Sequence, residues 1–186
     1  MLKRGMSRSE IEKELQDKGE FVQIDYLENF LKEDLPTDIR KFAMLRMAEI
    51  YEKKMMFGEG AKIFNNISLI SIPFAEKIKC HVKEAELYIK GGLFREADYA
   101  TTKAMSQANT FEKNDIMFSI KQFYKKQAEV FEKEIRRNNA TRLYEKLLEI
   151  SSTEAERKEV REKLMGLYEK LGKFREYNAL KGMNNN

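Results

Sequence analysis

The chain has 186 residues, and 35 basic side chains face 31 acidic ones for a net charge of +4. Nine glycines and two prolines are too few for a protein of many β turns, whereas 35% charged and 42% hydrophobic residues are typical of helices that bury one apolar stripe. No apolar run approaches the roughly 18 residues of a membrane span. The composition therefore predicts an all-α protein that has no contact with a membrane.

The single cysteine, Cys80, cannot form an intramolecular disulfide, which favours a reducing compartment. The N-terminal segment 1–15 carries basic side chains but no apolar run behind them, so it does not resemble a secretory signal. We therefore expect a cytoplasmic protein.

The first predicted element is a helical pair over residues 7–36. Leu15 and Phe21, six residues apart, begin a spacing that recurs four times further along the chain. Pro36 ends this pair, because proline cannot continue a helix. Thr37 is then the predicted N-cap of the following helix.

The next segments, 37–73, 74–110, 114–152 and 153–183, repeat one pattern. Each has an aromatic residue, and these four aromatics lie 37, 43 and 37 residues apart. Six residues after each aromatic comes a second large residue, and a mostly small residue follows three further on. The aromatics are Tyr51, Tyr88, Phe131 and Tyr168, the second residues are Phe57, Phe94, Arg137 and Phe174, and the third are Gly60, Ala97, Ala140 and Tyr177.

Apolar spacings of three and four residues on both sides of each aromatic predict two amphipathic helices joined by a short turn. Gly19, Gly92 and Gly172 lie where the first helix of a pair must end, which suits a left-handed residue. Phe-Arg-Glu occurs at 94–96 and again at 174–176, and we interpret it as the start of a second helix. The small residues would let helix backbones approach closely. They are Ala48, Ala85 and Ala128 in the first helices, and Gly60, Ala97 and Ala140 in the second.

This pattern resembles the tetratricopeptide repeat, in which about 34 residues form two antiparallel helices. The resemblance implies a single domain over 1–183, built as a right-handed superhelical array of about five antiparallel hairpins, with a disordered tail at 184–186. The chain departs from the family pattern, since Met44, His81 and Arg161 replace its early tryptophan and the spacings exceed 34. The six extra residues of the 43-residue interval fall near 105–115 and either extend two helices or form a longer surface loop.

Catalytic chemistry finds little support in the sequence. His81 and Cys80 are adjacent, so on a helix they point about 100° apart and cannot act as a nucleophile and base. No second histidine completes a zinc site, and acidic residues alternate with lysines as on a solvated surface. We therefore predict no catalytic residue, no metal and no cofactor.

The family resemblance implies that the first helix of each hairpin lines a concave groove. Glutamates two before the aromatic and lysines two after it give a Glu-to-Lys spacing of four, worth about 0.2–0.5 kcal/mol per exposed pair. Chaperone adaptors of the family place an asparagine at the position of these glutamates to hold a carboxylate, so we do not expect that clamp. The candidate groove residues are Glu49, Glu86, Glu129, Lys53, Lys90, Lys133 and Lys170.

The leading functional prediction is an adaptor that binds a protein or peptide partner in this groove or along an edge. The lysines would then hold an acidic segment, unless they only neutralise their own glutamates.

An alternative partner is RNA or a ribonucleoprotein such as the ribosome, bound through a basic segment at 121–142. Phe123 or Tyr124 would stack on bases there, with one of the two in the core. A terminal hairpin without a polar cap could also pair with a second copy as a homodimer. The basic side chains of the segment are Lys121, Lys125, Lys126, Arg136, Arg137 and Arg142.

Overall fold

A computed structural model describes residues 2–183, and the predicted tail at 184–186 lies outside the described residues. All regular elements within 2–183 are α-helices, which confirms the all-α prediction. The helices are α1 (Arg8–Gln16), α2 (Glu20–Leu31), α3 (Thr37–Lys53), α4 (Phe57–Ile70), α5 (Phe74–Lys90), α6 (Phe94–Ser106), α7 (Thr110–Lys133), α8 (Arg137–Ile150), α9 (Glu154–Leu171) and α10 (Phe174–Met183).

The chain divides into two compact units, unit 1 up to Ile116 and unit 2 from Met117, with the boundary inside α7. In unit 1, each helix from α2 to α5 packs against the helix that follows it. In unit 2, α8 packs against α9, and α9 against α10. Consecutive helices therefore form the packed pairs of both units.

The start of each second helix falls where the repeat predicts it. α6 begins with the Phe-Arg-Glu stretch at 94–96, and α10 begins with the one at 174–176, so both stretches mark the start of a second helix. Gly92 and Gly172 are left-handed, with φ of 71° and 69°, as predicted. The prediction for Gly19 is wrong, since its φ is −59° and it is the N-cap residue of α2. The N-cap prediction for Thr37 is also wrong: α3 begins at this residue, Pro36 takes the cap position, and no side chain caps the helix.

Two of the hairpin turns hold a left-handed residue that is not glycine. Met55 has a φ of 58° and Ile135 a φ of 59°, at the positions that Gly92 and Gly172 occupy in the other turns. A side chain in this conformation costs roughly 1–2 kcal/mol, and a β-branched one is especially unfavourable. Both side chains are nevertheless exposed, by 70% for Met55 and 69% for Ile135. Burial in the core therefore does not explain why these two turns lack glycine.

The six extra residues of the 43-residue spacing between Tyr88 and Phe131 lengthen one helix. α7 has 24 residues, whereas α3 and α5 have 17 each. Only residues 107–109 connect α6 to α7, so the longer surface loop does not form. α6 keeps an ordinary length of 13 residues. The insertion therefore adds about two turns to the N-terminal part of α7 alone.

The small residues of the repeat are buried, and the structure shows a close helix contact at one of them. Ala48, Ala85 and Ala128 are almost fully buried. A Cβ atom on Gly60 would lie 3.3 Å from Leu87 Cδ1, closer than most such contacts. The absence of a side chain at Gly60 therefore allows α5 to approach α4 closely at this point.

The sequence from 37 to 103 aligns without gaps with that from 117 to 183 at an offset of 80 residues, and about a quarter of the aligned residues are identical. α4 and α8 both have 14 residues, and each is followed by a serine. The hydroxyl groups of Ser71 and Ser151 donate to the carbonyl oxygens of Ile67 and Leu147, both over 2.8 Å. The length of this helix and the hydrogen bond that follows it are therefore the same in both units.

Candidate functional site

The groove glutamates and lysines pair differently from the prediction. Of the three predicted Glu–Lys pairs, one forms among the described residues: Glu86 Oε1 lies 2.7 Å from Lys90 Nζ. Lys53 instead reaches Glu20 of α2 over 2.5 Å, and Glu49 pairs with Arg46 over 2.9 Å. Within residues 2–183, three of the predicted groove residues make no ion pair. They are Glu129, Lys133 and Lys170.

The repeated ion pairs join successive first helices. Lys41 of α3 binds Glu76 of α5 over 2.8 Å, and their counterparts in unit 2, Lys121 and Glu156, lie at the same distance. A second repeated pair, Lys83 with Glu52 and Lys163 with Glu132, spans 3.1 Å and 3.6 Å. Because the partners are more than 30 residues apart in sequence, spacing within one helix could not predict them. The acidic and basic side chains thus connect α3 to α5 and α7 to α9.

Glu156 is the most strongly perturbed carboxylate of these pairs. Hydrogen bonds from Lys121 Nζ and from the backbone N–H of Ser152 lower the pKa of Glu156 to about 2. A lowered carboxyl pKa contributes stability at pH values above the ordinary value of 4.5, and this contribution is lost as the pH falls toward 2. The α7–α9 connection is therefore complete at neutral pH.

Replacement of Lys121 by Met should raise the pKa of Glu156 toward 4.5, because the largest cause of the shift is removed. The remaining N–H donor of Ser152 should keep it somewhat below that value. A carboxyl ¹³C NMR titration measures the change, and Lys126→Met, on the exposed side of α7, is the control. An unchanged pKa in Lys121→Met would show that this pair does not form in solution.

A cleft in unit 2 lies between α7 and α9, with α8 as its floor. Its apolar lining comes from Phe118, Leu147 and Val160. Phe118 is 64% exposed, whereas the other two are buried. Charged side chains border this lining, among them Lys125, which binds Glu159 over 2.6 Å. The cleft therefore offers an apolar surface inside a border of paired charges.

The basic side chains of the segment at 121–142 lie in different surroundings. Two of its cations, Lys121 and Lys125, lie in the cleft and bind carboxylates. Arg136 lies 4.3 Å above the ring of Phe131 and pairs with Glu134. Lys126, Arg137 and Arg142 are exposed.

The two aromatic residues predicted to reach bases differ in burial. Tyr124 is buried and belongs to the core, while Phe123 is half-buried. Of the two, only Phe123 has ring surface near the solvent.

Unit 1 contains a cluster of hydrogen-bonded polar and charged side chains that the sequence did not predict. The carboxylate of Glu84, whose side chain is 3% exposed, accepts two hydrogen bonds of 2.9 Å from Lys103 Nζ. His81 Nδ1 lies 2.9 Å from the same carboxylate, and Lys103 also donates to Asn65 Oδ1. His81 is thus part of a buried polar network. We call these four residues the buried network.

The buried network is specific to unit 1. The counterparts of Glu84 and Lys103, 80 residues later, are Leu164 and Met183, and that of His81 is Arg161. Leu164 is fully buried in unit 2. The hairpin architecture therefore accepts an apolar residue where unit 1 has the glutamate.

Cys80 is not an activated nucleophile. Burial, followed by the negative charge of Glu76, raises the pKa of the Cys80 thiol to about 11. The thiol is therefore protonated at neutral pH, and a protonated thiol is a weak nucleophile.

Residues 2–183 contain no group of three or more His, Cys, Asp or Glu side chains placed to hold a metal ion. In the same residues, no helix combines the length and the apolar composition needed to cross a membrane. No protein-family model matches the chain, and no curated protein matches it.

Proposed function

We propose that this protein is a non-catalytic adaptor with tetratricopeptide-like hairpins, and that its unit-2 cleft binds a segment of a partner protein. The observation that carries the proposal is the exposed ring of Phe118 beside the apolar lining of Leu147 and Val160. Large exposed aromatic residues at a concave apolar surface are characteristic of binding sites. An apolar side chain of the partner would fill the cleft.

The ion pairs at the cleft favour an apolar anchor over a charged one. Lys121 and Lys125 already bind Glu156 and Glu159, so a charged ligand would have to separate these pairs first. Burial of an apolar side chain contributes about 25 cal/mol per Å² and needs no such exchange. The paired charges then set the orientation of the segment more than its affinity.

RNA or a ribonucleoprotein is the alternative partner. Binding through the basic segment would rely on the exposed Lys126, Arg137 and Arg142 and would weaken steeply with salt, because counterions are released from each phosphate. An apolar anchor in the cleft predicts little dependence on salt.

The test is affinity capture from native extract with the unchanged chain and with Phe118→Asp. A partner of the cleft should remain bound after nuclease treatment and in moderate salt, and its recovery should fall at least tenfold with Phe118→Asp. The control is Phe174→Asp, because this ring is equally exposed in unit 2 and lies outside the cleft.

Equal recovery with Phe118→Asp would contradict the cleft as the binding site. Recovery of mainly RNA or ribosomal material, lost after nuclease treatment, would instead support the basic segment.

A further inference from the structure

Exposed apolar side chains lie in and beside the hairpin turns of unit 1. Phe21, next to the start of α2, is 66% exposed, and Lys54 Nζ lies 5.3 Å from the centre of its ring. Met55 and Met56 continue the surface in the α3–α4 turn. Leu93 of the α5–α6 turn lies next to Gly58, the second residue of α4. We call Phe21, Met55, Met56 and Leu93, with Lys53 and Lys54, the turn edge.

Met55 keeps a left-handed backbone conformation at a steric cost that its exposed side chain does not offset by burial. The same turn position holds Gly92 in the next hairpin, where the left-handed conformation carries no steric cost. Met55 adopts it with a side chain that is exposed and adds little to the core. Non-glycine residues kept in unfavourable backbone regions concentrate at functional sites. Methionine is also well suited to a contact surface, since its flexible thioether adapts to different shapes.

The charges of the turn edge define the chemistry of its partner. Lys53 and Lys54 both bind one carboxylate, that of Glu20, so two ammonium groups share a single negative charge. Both hydrogen bonds lower the pKa of Glu20 to about 2, and its carboxylate remains ionised at neutral pH. Lys53 is mostly exposed, and a second carboxylate could approach it without displacing Glu20.

We infer that the turn edge of unit 1 binds an acidic segment of a partner protein, with apolar side chains of the segment on Met55, Met56 and Phe21 and a carboxylate on Lys53. The inference rests on the proposed adaptor function but concerns a surface other than the cleft. It names the class of partner segment: aliphatic or aromatic residues interspersed with Asp or Glu.

The test uses a displayed library of random 16-residue peptides, selected on the full-length chain, followed by Kd measurements for the enriched peptides. Enriched peptides should combine acidic with large apolar residues. Met55→Gly should weaken their binding at least tenfold while it raises the Tm, because glycine removes the backbone strain. Lys53→Met should weaken binding about threefold or more and reduce its dependence on salt.

The matched control is Ile135→Gly, which relieves the same backbone strain in unit 2 and should leave the Kd within twofold. If the selection yields no acidic-apolar peptides, or if Met55→Gly leaves their Kd unchanged, the inference is wrong. If binding of the peptides is lost with Phe118→Asp and is unaffected by the turn-edge variants, the cleft proposal stands and the turn edge is not the binding site. A chain that self-associates until Met55 is replaced by Gly would assign the surface to a second copy and overturn the acidic segment.

Discussion

Replacing Lys103 by Met is expected to lower the free energy of unfolding by about 3 kcal/mol. Its ammonium is the cation bound to the buried carboxylate of Glu84, and removal of one partner of a buried pair typically costs about 3–5 kcal/mol. The lower end of this range applies because a fifth of the Lys103 side chain is exposed. Urea unfolding at pH 8 measures the loss.

The double variant Glu84→Leu with Lys103→Met should recover most of this stability. It places in unit 1 the residues found 80 positions later, Leu164 and Met183. Apolar replacement of a buried ion pair is often neutral or stabilising. If the double variant is as unstable as Lys103→Met alone, the packing around the site requires the buried network, and the comparison with unit 2 does not hold.

Replacing Leu87 by Ala should destabilise the protein by about 3 kcal/mol, within the 2–5 kcal/mol that such core truncations usually cost. Leu87 is fully buried in α5, and one of its methyl groups faces Gly60 of α4. The shortened side chain would leave a cavity between these helices. Leu69→Ala is the control: this residue is largely exposed, and a change below about 0.5 kcal/mol is expected.

The substitution Gly60→Ala tests whether Leu87→Ala leaves a local cavity or loosens the whole packing of α4 against α5. In the unchanged chain the new methyl would meet Leu87 Cδ1 at 3.3 Å, whereas Leu87→Ala removes this contact and leaves only ordinary contacts of 3.6 Å. Alanine also favours a helix over glycine by up to about 1 kcal/mol. Gly60→Ala should therefore stabilise the Leu87→Ala variant more than the unchanged chain. Equal effects in both backgrounds would indicate that the two residues are not in contact.

The helices and their turns could be predicted from the sequence, because both are determined mainly by residues that are close together in the chain. The aromatic and small residues of each repeat mark one face of a helix, so α4, α6 and α10 begin where the spacing predicts. Gly92 and Gly172 reveal left-handed turns through their residue type alone. Met55 and Ile135 give no such signal, and only alignment with the glycine-containing turns could have identified their conformation.

The candidate sites depended on contacts that the sequence spacing does not encode. Lys53 prefers Glu20 over Glu49 because α2 lies beside α3, and no pattern within α3 contains that information. Glu84 looks like a surface residue of a charged helix until its pairing with Lys103 of α6 is known. The offset of 80 residues was the one signal that could have helped, since it aligns Glu84 with a leucine.

The packing of consecutive helices has a consequence for how the chain reaches its native state. Within each unit the backbone contacts join helices that follow one another, so most contacts close short loops. Low contact order of this kind is associated with folding in microseconds to milliseconds. Each unit can therefore form its packed helix pairs without first bringing together distant parts of the chain, and we expect it to fold quickly for its size.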